Sequence, residues 1–115
     1  AYHQFKLGNY QGAIAGFQGF LKNHPNSALA PNAHYWVGNA YFSLREYPNA
    51  IASQNKLVGA YPDSPKVPDA LLNIASSQQE LNDLPNARKT LESLIARFPI
   101  SDAAEKARRR LAALK

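Results

Sequence analysis

The sequence has no cysteine and no methionine among its 115 residues. The absence of cysteine excludes disulfide bonds and metal sites with thiolate ligands. It is equally compatible with an oxidising and with a reducing compartment, so cysteine content leaves the cellular location open.

Long apolar runs are also missing. No stretch approaches the roughly 18 uninterrupted apolar residues of a membrane-spanning helix, and no basic segment followed by an apolar one marks a signal peptide. We therefore expect the chain to be soluble as given. It begins with AYHQFKLGNY, in mid-pattern and without methionine, a start that allows for a secretion signal or an upstream domain. A length of 115 residues suits one domain, residues 1–115.

Acidic residues are scarce, and the formal net charge is +5. The first acidic residue is Glu46, and only three Lys or Arg precede it, too few for a stripe that follows nucleic-acid phosphates. The densest basic patch, ARRRLAALK, is interpreted as the solvated face of a helix. The charge pattern therefore argues against nucleic-acid binding.

No arrangement typical of an enzyme is present. Serines recur in Pro-rich junctions with no base placed beside them, which is typical of turn or N-cap residues: Ser27, Ser64 and Ser101. The histidines lack the i, i+4 spacing of a helical metal pair and are interpreted as packing residues: His3, His24 and His34. No Gly-rich phosphate loop appears. We expect no catalysis, no cofactor and no metal.

A repeat of 37 residues runs through the whole chain. Pro25, Pro62 and Pro99 mark it. Four further columns keep their character: Leu7, Leu44 and Leu81; Tyr10, Tyr47 and Leu84; Ala13, Ala50 and Ala87; Phe20, Leu57 and Leu94. Self-similarity at such a period indicates stacked units that cannot bury their apolar faces alone.

Each copy contains two helical patterns. In the middle copy, helix A carries one apolar stripe: Val37, Ala40, Tyr41 and Leu44. Pro48 suits the first turn of helix B, whose apolar side is Ala50, Ile51, Leu57 and Val58. Ser53, Gln54 and Lys56 are expected to face water. Together the patterns predict an antiparallel hairpin.

Small residues recur where the two helices of each hairpin would approach most closely. The pairs are Gly38 with Ala50, Ala1 with Ala13, and Ala75 with Ala87. Pro62 and its equivalents end helix B, because proline disfavours the α conformation in the residue before it.

These residues resemble the tetratricopeptide repeat, whose pattern is W-x2-L-G-x2-Y, then Ala, Phe and Pro. The middle copy matches it at Val37, Gly38, Tyr41, Ala50 and Pro62, whereas His34 replaces the Trp and Gln54 the Phe. The first and third copies lack the Leu-Gly pair. The resemblance implies an all-α, right-handed superhelix of three helical hairpins, the first helix truncated, plus a C-terminal capping helix. The repeats would span about 1–25, 30–62 and 67–99, and the capping helix about 102–114.

The segment SDAAEKARRRLAALK independently fits a cap. One apolar stripe would face the third hairpin: Ala104, Ala107, Leu111 and Leu114. The opposite face would be exposed to solvent and would carry the basic residues Lys106, Arg108 and Arg109.

The long junction YP-x-S-x-x-x-P-x-A is similar to that of tetratricopeptide proteins of the bacterial cell envelope. Three repeats plus one helix resemble the periplasmic, Tol–Pal-associated members that act in cell division. That resemblance implies binding to TolA, a link between outer-membrane constriction and peptidoglycan synthesis by a bifunctional penicillin-binding protein, and a homo-oligomer formed through an N-terminal coiled coil. The alternative is a lipid-anchored factor of outer-membrane protein assembly.

Partners of such arrays bind the concave surface lined by the A helices. The family's exposed A-helix positions match Phe5, Asn32, Tyr35, Asn39, Phe42, Ser43, Asp69, Leu72, Asn73, Ser76 and Gln79, with Lys106 and Arg110 on the capping helix. Tyr35, Asn39 and Phe42 also fall off the predicted apolar stripe, so we expect them to be exposed. A second hypothesis is the carboxylate clamp of co-chaperones, which would use Asn39, Asn73, Lys106 and Arg110, although Tyr35 replaces its first Lys.

Overall fold

The structure is a computed structural model that describes residues 9–114. This part of the chain is helical and contains no strand, which confirms the predicted all-α class. Its helices are α1 Tyr10–Asn23, α2 Ala30–Ser43, α3 Tyr47–Ala60, α4 Val67–Glu80, α5 Leu84–Arg97 and α6 Asp102–Ala113. Within residues 9–114, none of the helices has the length and apolar character needed to cross a membrane.

Consecutive helices pack against each other in chain order, so α2 with α3 and α4 with α5 form helical hairpins. Helix α4 also contacts both α2 and α6. The A helices α2 and α4 are therefore neighbours, and α6 takes the next A position at the end of the stack. The predicted truncated first helix, which would pair with α1, falls on residues 1–8 and lies outside the described residues.

Proline and serine set the helix boundaries as the sequence predicted. Helices α2 to α5 each have a proline in the first turn, where its missing N–H costs no helical bond. In the junctions, Ser27 Oγ accepts from the backbone N–H of Leu29 and Ser64 Oγ from that of Lys66, each at 3.1 Å. Ser101 is the N-cap of α6, and its Oγ accepts from the N–H of Ala104 at 3.0 Å.

Two clusters of buried apolar side chains form the core. The larger runs from Leu57 on α3 to Ala107 on α6 and is centred on the apolar residues of α4. The smaller joins α1 and α2 through Ile14, Val37 and Ala40, with Tyr41 and Leu44 packed against it. The predicted apolar stripe of helix A is thus confirmed. Burial of these side chains is the main source of stability for stacked helices.

The structure corrects the prediction for two polar residues of α3. Ser53 and Gln54 were expected to face water, but they are buried, with exposed fractions of 9% and 1%. The reason is that α3 is packed on two sides, against α2 of its own hairpin and against α4 of the next. The side of α3 that faces away from both neighbours stays exposed, and Lys56 lies on it as expected.

The close approach of α2 and α3 occurs at Gly38, where Gln54 fills the available space. A Cβ atom on Gly38 would lie 2.6 Å from Gln54 Cδ, well inside normal contact. The other predicted small residues are also buried: Ala13, Ala50, Ala75 and Ala87. Ala1 lies outside the described residues. The small residues therefore do allow close packing, but the contact at Gly38 comes from a long polar side chain.

Replacing Ala50 by Leu is expected to destabilise the fold by about 1 to 3 kcal/mol. Ala50 is only 2% exposed, so the three extra carbon atoms must be placed in a site that is already filled. Thermal unfolding followed by circular dichroism measures the loss. Ala52→Leu is the matched control, since Ala52 is exposed on the same helix. Equal melting temperatures for the two variants would contradict the assigned packing of α3.

Candidate functional site

The predicted partner-binding residues lie on the three A-position helices, which we call the A-helix surface. Helix α2 carries Asn32, Tyr35, Asn39, Phe42 and Ser43; helix α4 carries Asp69, Leu72, Asn73, Ser76 and Gln79; helix α6 carries Lys106 and Arg110. Phe5 lies outside the described residues. Because α4 contacts both α2 and α6, these side chains come from adjacent helices.

Two hydrogen bonds join the A helices across this surface. Asn73 Nδ2 on α4 donates to Asn39 Oδ1 on α2 at 2.6 Å. One repeat later, Arg110 Nη1 on α6 donates to Ser76 Oγ on α4. The two pairs occupy equivalent positions of successive repeats, so the same A-to-A contact is made twice with different side chains.

A buried side chain of α3 extends the first of these pairs. Gln54 Nε2 donates to the main-chain carbonyl of Tyr35 at 3.2 Å and lies 3.4 Å from Asn39 Oδ1. Sequence reasoning missed this role because it placed Gln54 in water. The available signal was the column of Gln54 itself, since the equivalent residues in the other two copies are the apolar Phe17 and Leu91.

The aromatic residues of the A-helix surface are half-buried. The Tyr35 ring packs edge-on against Trp36 at 5.4 Å between centroids, and Lys66 Nζ lies 4.8 Å from its centroid. The Phe42 ring packs edge-on against Tyr47 at 5.3 Å. Such packing holds the rings in place while part of each remains accessible, which is a favourable state for a binding anchor.

The structure corrects the prediction for Leu72. It was expected at the exposed surface, but its side chain is 7% exposed and belongs to the larger core cluster. An A helix packed on both of its flanks buries a wider arc than a two-helix hairpin would, and Leu72 falls inside that arc. Leu72 therefore stabilises the fold and is not available to a partner.

The C-terminal end of the A-helix surface is basic. Lys106 is exposed, and Arg110 is half-buried against Ser76. On the outer side of α6, Arg109 forms an exposed ion pair with Glu105 at 3.6 Å, and Arg108 donates to the carbonyl of Pro99 at 2.8 Å. Exposed pairs of this kind contribute little stability, consistent with a solvated capping face.

An apolar groove of about 400 Å³ opens between α1 and α2. Its largest side chains are Phe17, Phe20, Leu29 and Trp36. The residues equivalent to Phe20 in the next two repeats, Leu57 and Leu94, are completely buried. Sequence reasoning did not identify this groove.

His34 lies at the junction between the first two repeats. Its ring is 5.7 Å from that of Tyr61, whose hydroxyl donates to the carbonyl of Pro25 at 2.9 Å. Burial lowers the pKa of the His34 imidazole below its ordinary value of 6.5, and the positive charge of Lys56 lowers it further. The folded state therefore favours the neutral ring.

The stability of the domain is expected to fall as the pH drops below 6.5. Because the pKa of His34 is lower in the folded state, the unfolded chain binds more protons at His34 between the two pKa values. The stability contributed by the neutral, buried ring is therefore fully present above pH 6.5. It is lost as the pH falls through the pKa of the folded state. Thermal melts between pH 7.5 and 5.5 check this.

The control for the pH series is His34→Leu, which places there the residue found at the equivalent position 71. It should show a weaker pH dependence in that window. The same slope in both proteins would remove His34 as the cause.

Two tetratricopeptide repeat family models match the chain, one over residues 1–65 and the other over residues 69–99. Together with the stacked helical hairpins, these matches show that the chain belongs to the tetratricopeptide repeat family, whose domains mediate interactions between proteins. A curated relative is the cell division coordinator CpoB of Escherichia coli (strain K12), which is 45% identical over 31 residues. That segment covers 27% of this chain and 12% of the relative, so the similarity concerns a small part of CpoB.

Proposed function

We propose that this chain is a non-catalytic adaptor domain of the bacterial periplasm that binds TolA. In this role it helps to link outer-membrane constriction with peptidoglycan synthesis by a bifunctional penicillin-binding protein during division. The protein that contains it forms a homo-oligomer through a coiled coil outside this sequence. The family, the local similarity to CpoB and the long junctions support the proposal.

The observation that carries the proposal is the A-helix surface itself. Polar side chains of successive A helices are connected by the pairs Asn39–Asn73 and Ser76–Arg110. The ring of Tyr35 lies beside the first pair and is held by Trp36 and Lys66. Ordered rings next to polar amides are what a bound peptide needs for affinity and register.

Titration calorimetry of the domain with the periplasmic part of TolA tests the proposed function. Saturable binding is expected, and it should weaken when residues of the A-helix surface are changed. Absence of heat and of binding by an independent method, with a folded domain and folded TolA, would contradict TolA as the partner.

The exposed Lys106, close in sequence to Arg110 on α6, keeps the carboxylate clamp as a second candidate. If the clamp operates, a peptide ending in a free carboxylate should bind at least about tenfold better than its amidated form, because a charge-assisted contact to Lys or Arg is lost. Fluorescence anisotropy with the two peptides measures the ratio. Equal affinities would exclude the clamp.

A further inference from the structure

Gln54 combines deep burial with an unpaired polar atom. Its side chain is 1% exposed, yet its Oε1 has no hydrogen-bond partner among residues 9–114. Leaving a buried acceptor unpaired costs stability, and an apolar side chain of similar size would avoid that cost. A leucine, Leu91, occupies the equivalent position one repeat later and is completely buried. The packing of the fold therefore does not require an amide here.

The hydrogen bonds of Gln54 fix the orientation of three amide groups in turn. The main-chain carbonyl of Tyr35 can only accept, so the Gln54 atom next to it must be the donor Nε2. The atom of Asn39 that faces Nε2 must then be the acceptor Oδ1. The atom of Asn73 that contacts this Oδ1 must in turn be the donor Nδ2.

This chain of contacts leaves two polar atoms free on the A-helix surface. Asn39 Nδ2 is a donor and Asn73 Oδ1 is an acceptor, and neither has a partner among residues 9–114. Both asparagines are half-buried, and neither free atom is among the buried unpaired atoms of this part of the chain. The surface thus offers water or a partner one donor and one acceptor on adjacent helices.

We propose that Gln54 is a positioning residue that fixes the polarity of the Asn39–Asn73 pair, and that the pair recognises the main chain of an extended segment of the partner. In an extended segment, the N–H and C=O of one residue point to the same side and are unpaired. In a helix both groups are used internally. The pair therefore selects an extended segment over a helical one. This inference rests on the proposed function only in placing the partner on the A-helix surface.

The third repeat supports the special role of the second. The pair equivalent to Asn39–Asn73 is Ser76–Arg110, and the residue equivalent to Gln54 is Leu91. Arginine has only donors and needs no buried amide to set its polarity. The buried positioning residue Gln54 thus accompanies the pair in which two asparagine amides meet. Each of these amides could otherwise adopt two orientations.

The test uses N-acetylglycine N-methylamide, in which a single residue carries its own N–H and C=O, and follows the side-chain amide signals of the isotope-labelled domain by NMR. We expect larger shift changes on Asn39 and Asn73 than on the exposed Asn55. We also expect smaller changes with N-acetylsarcosine N-methylamide, in which a methyl group replaces the N–H of that residue. Equal changes on all three asparagines, or equal effects of the two compounds, would overturn the recognition of the main chain.

The variant Gln54→Met keeps an unbranched side chain of similar length and removes both its donor and its unpaired acceptor. We expect it to melt at or above the wild-type temperature and yet to lose the selective shifts at Asn39 and Asn73. Leu91→Met is the matched control in the next repeat and should keep them. Selective shifts that persist in Gln54→Met would overturn the positioning role.

A second variant keeps the proposal testable if Gln54→Met does not fold. Asn39→Asp retains the inward acceptor and the side-chain shape but turns the outward donor into an acceptor, so the selective response should disappear while Gln54 stays in place. If the response persists, the assigned polarity is wrong. Because the probe is a small amide, these results are independent of whether TolA binds.

Discussion

Replacing Tyr35, Asn39 and Phe42 together with alanine is expected to weaken binding to TolA by more than about a hundredfold, since a hot-spot aromatic typically contributes about 2 kcal/mol or more. The helices should remain folded, because none of the three residues belongs to the fully buried set. Some stability should be lost, since Tyr35 packs against the larger core cluster and Phe42 against Tyr47. Titration calorimetry gives the affinity and circular dichroism the fold.

The control for this variant is Val37→Ala combined with Leu44→Ala. These side chains pack in the smaller core cluster, so the double variant should melt at a lower temperature through lost packing. Its affinity below the melting temperature should stay near that of the wild type. If the triple variant binds TolA normally, recognition lies elsewhere, on the outer B helices or on the basic helix α6.

Replacing Leu57 by Ala is expected to cost about 2 to 5 kcal/mol, because the side chain is completely buried in the larger core cluster and the cavity cannot collapse fully. In a domain of this size that loss corresponds to a drop in melting temperature on the order of 10 °C or more. Thermal unfolding followed by circular dichroism is the measurement.

The matched control is Leu29→Ala, since Leu29 is 59% exposed in the junction before α2. It should change the melting temperature by little. A Leu57→Ala variant that melts with the wild type would contradict the continuous core from α3 to α6.

The helical architecture was predictable because its signals are local. The prolines at 37-residue spacing mark the junctions, the serines cap or turn them, and helix-period apolar stripes give the pairing of helices. The stripe of Val37 and Ala40 is buried as predicted. These features depend on residues within one repeat, so equivalent positions of the three copies can be compared directly in the sequence.

The features that were not predicted depend on contacts between helices. Gln54 and Ser53 are polar, and the packing of α3 against α2 and α4 buries them. Leu72 matches an exposed position of the family but is enclosed by neighbouring helices. The bond between Asn39 and Asn73 joins helices 34 residues apart in the chain, a distance over which periodicity gives no register for side chains.

The turns between the helices of each hairpin also escaped prediction. Arg45 and Asn82 adopt positive φ angles of 63° and 61°. Asparagine tolerates that region and glycine favours it, but arginine gives no such signal. The sharp reversal at Arg45 is imposed by the packing of α2 against α3, not by the residue itself.

An NMR titration of the isotope-labelled domain with the periplasmic part of TolA tests most directly whether the A-helix surface binds TolA. The largest backbone and side-chain shift changes are expected on the A helices, at Tyr35, Asn39, Asn73 and Ser76. Shift changes confined to the outer faces of α3 and α5, or to the apolar groove between α1 and α2, would contradict binding at the A-helix surface.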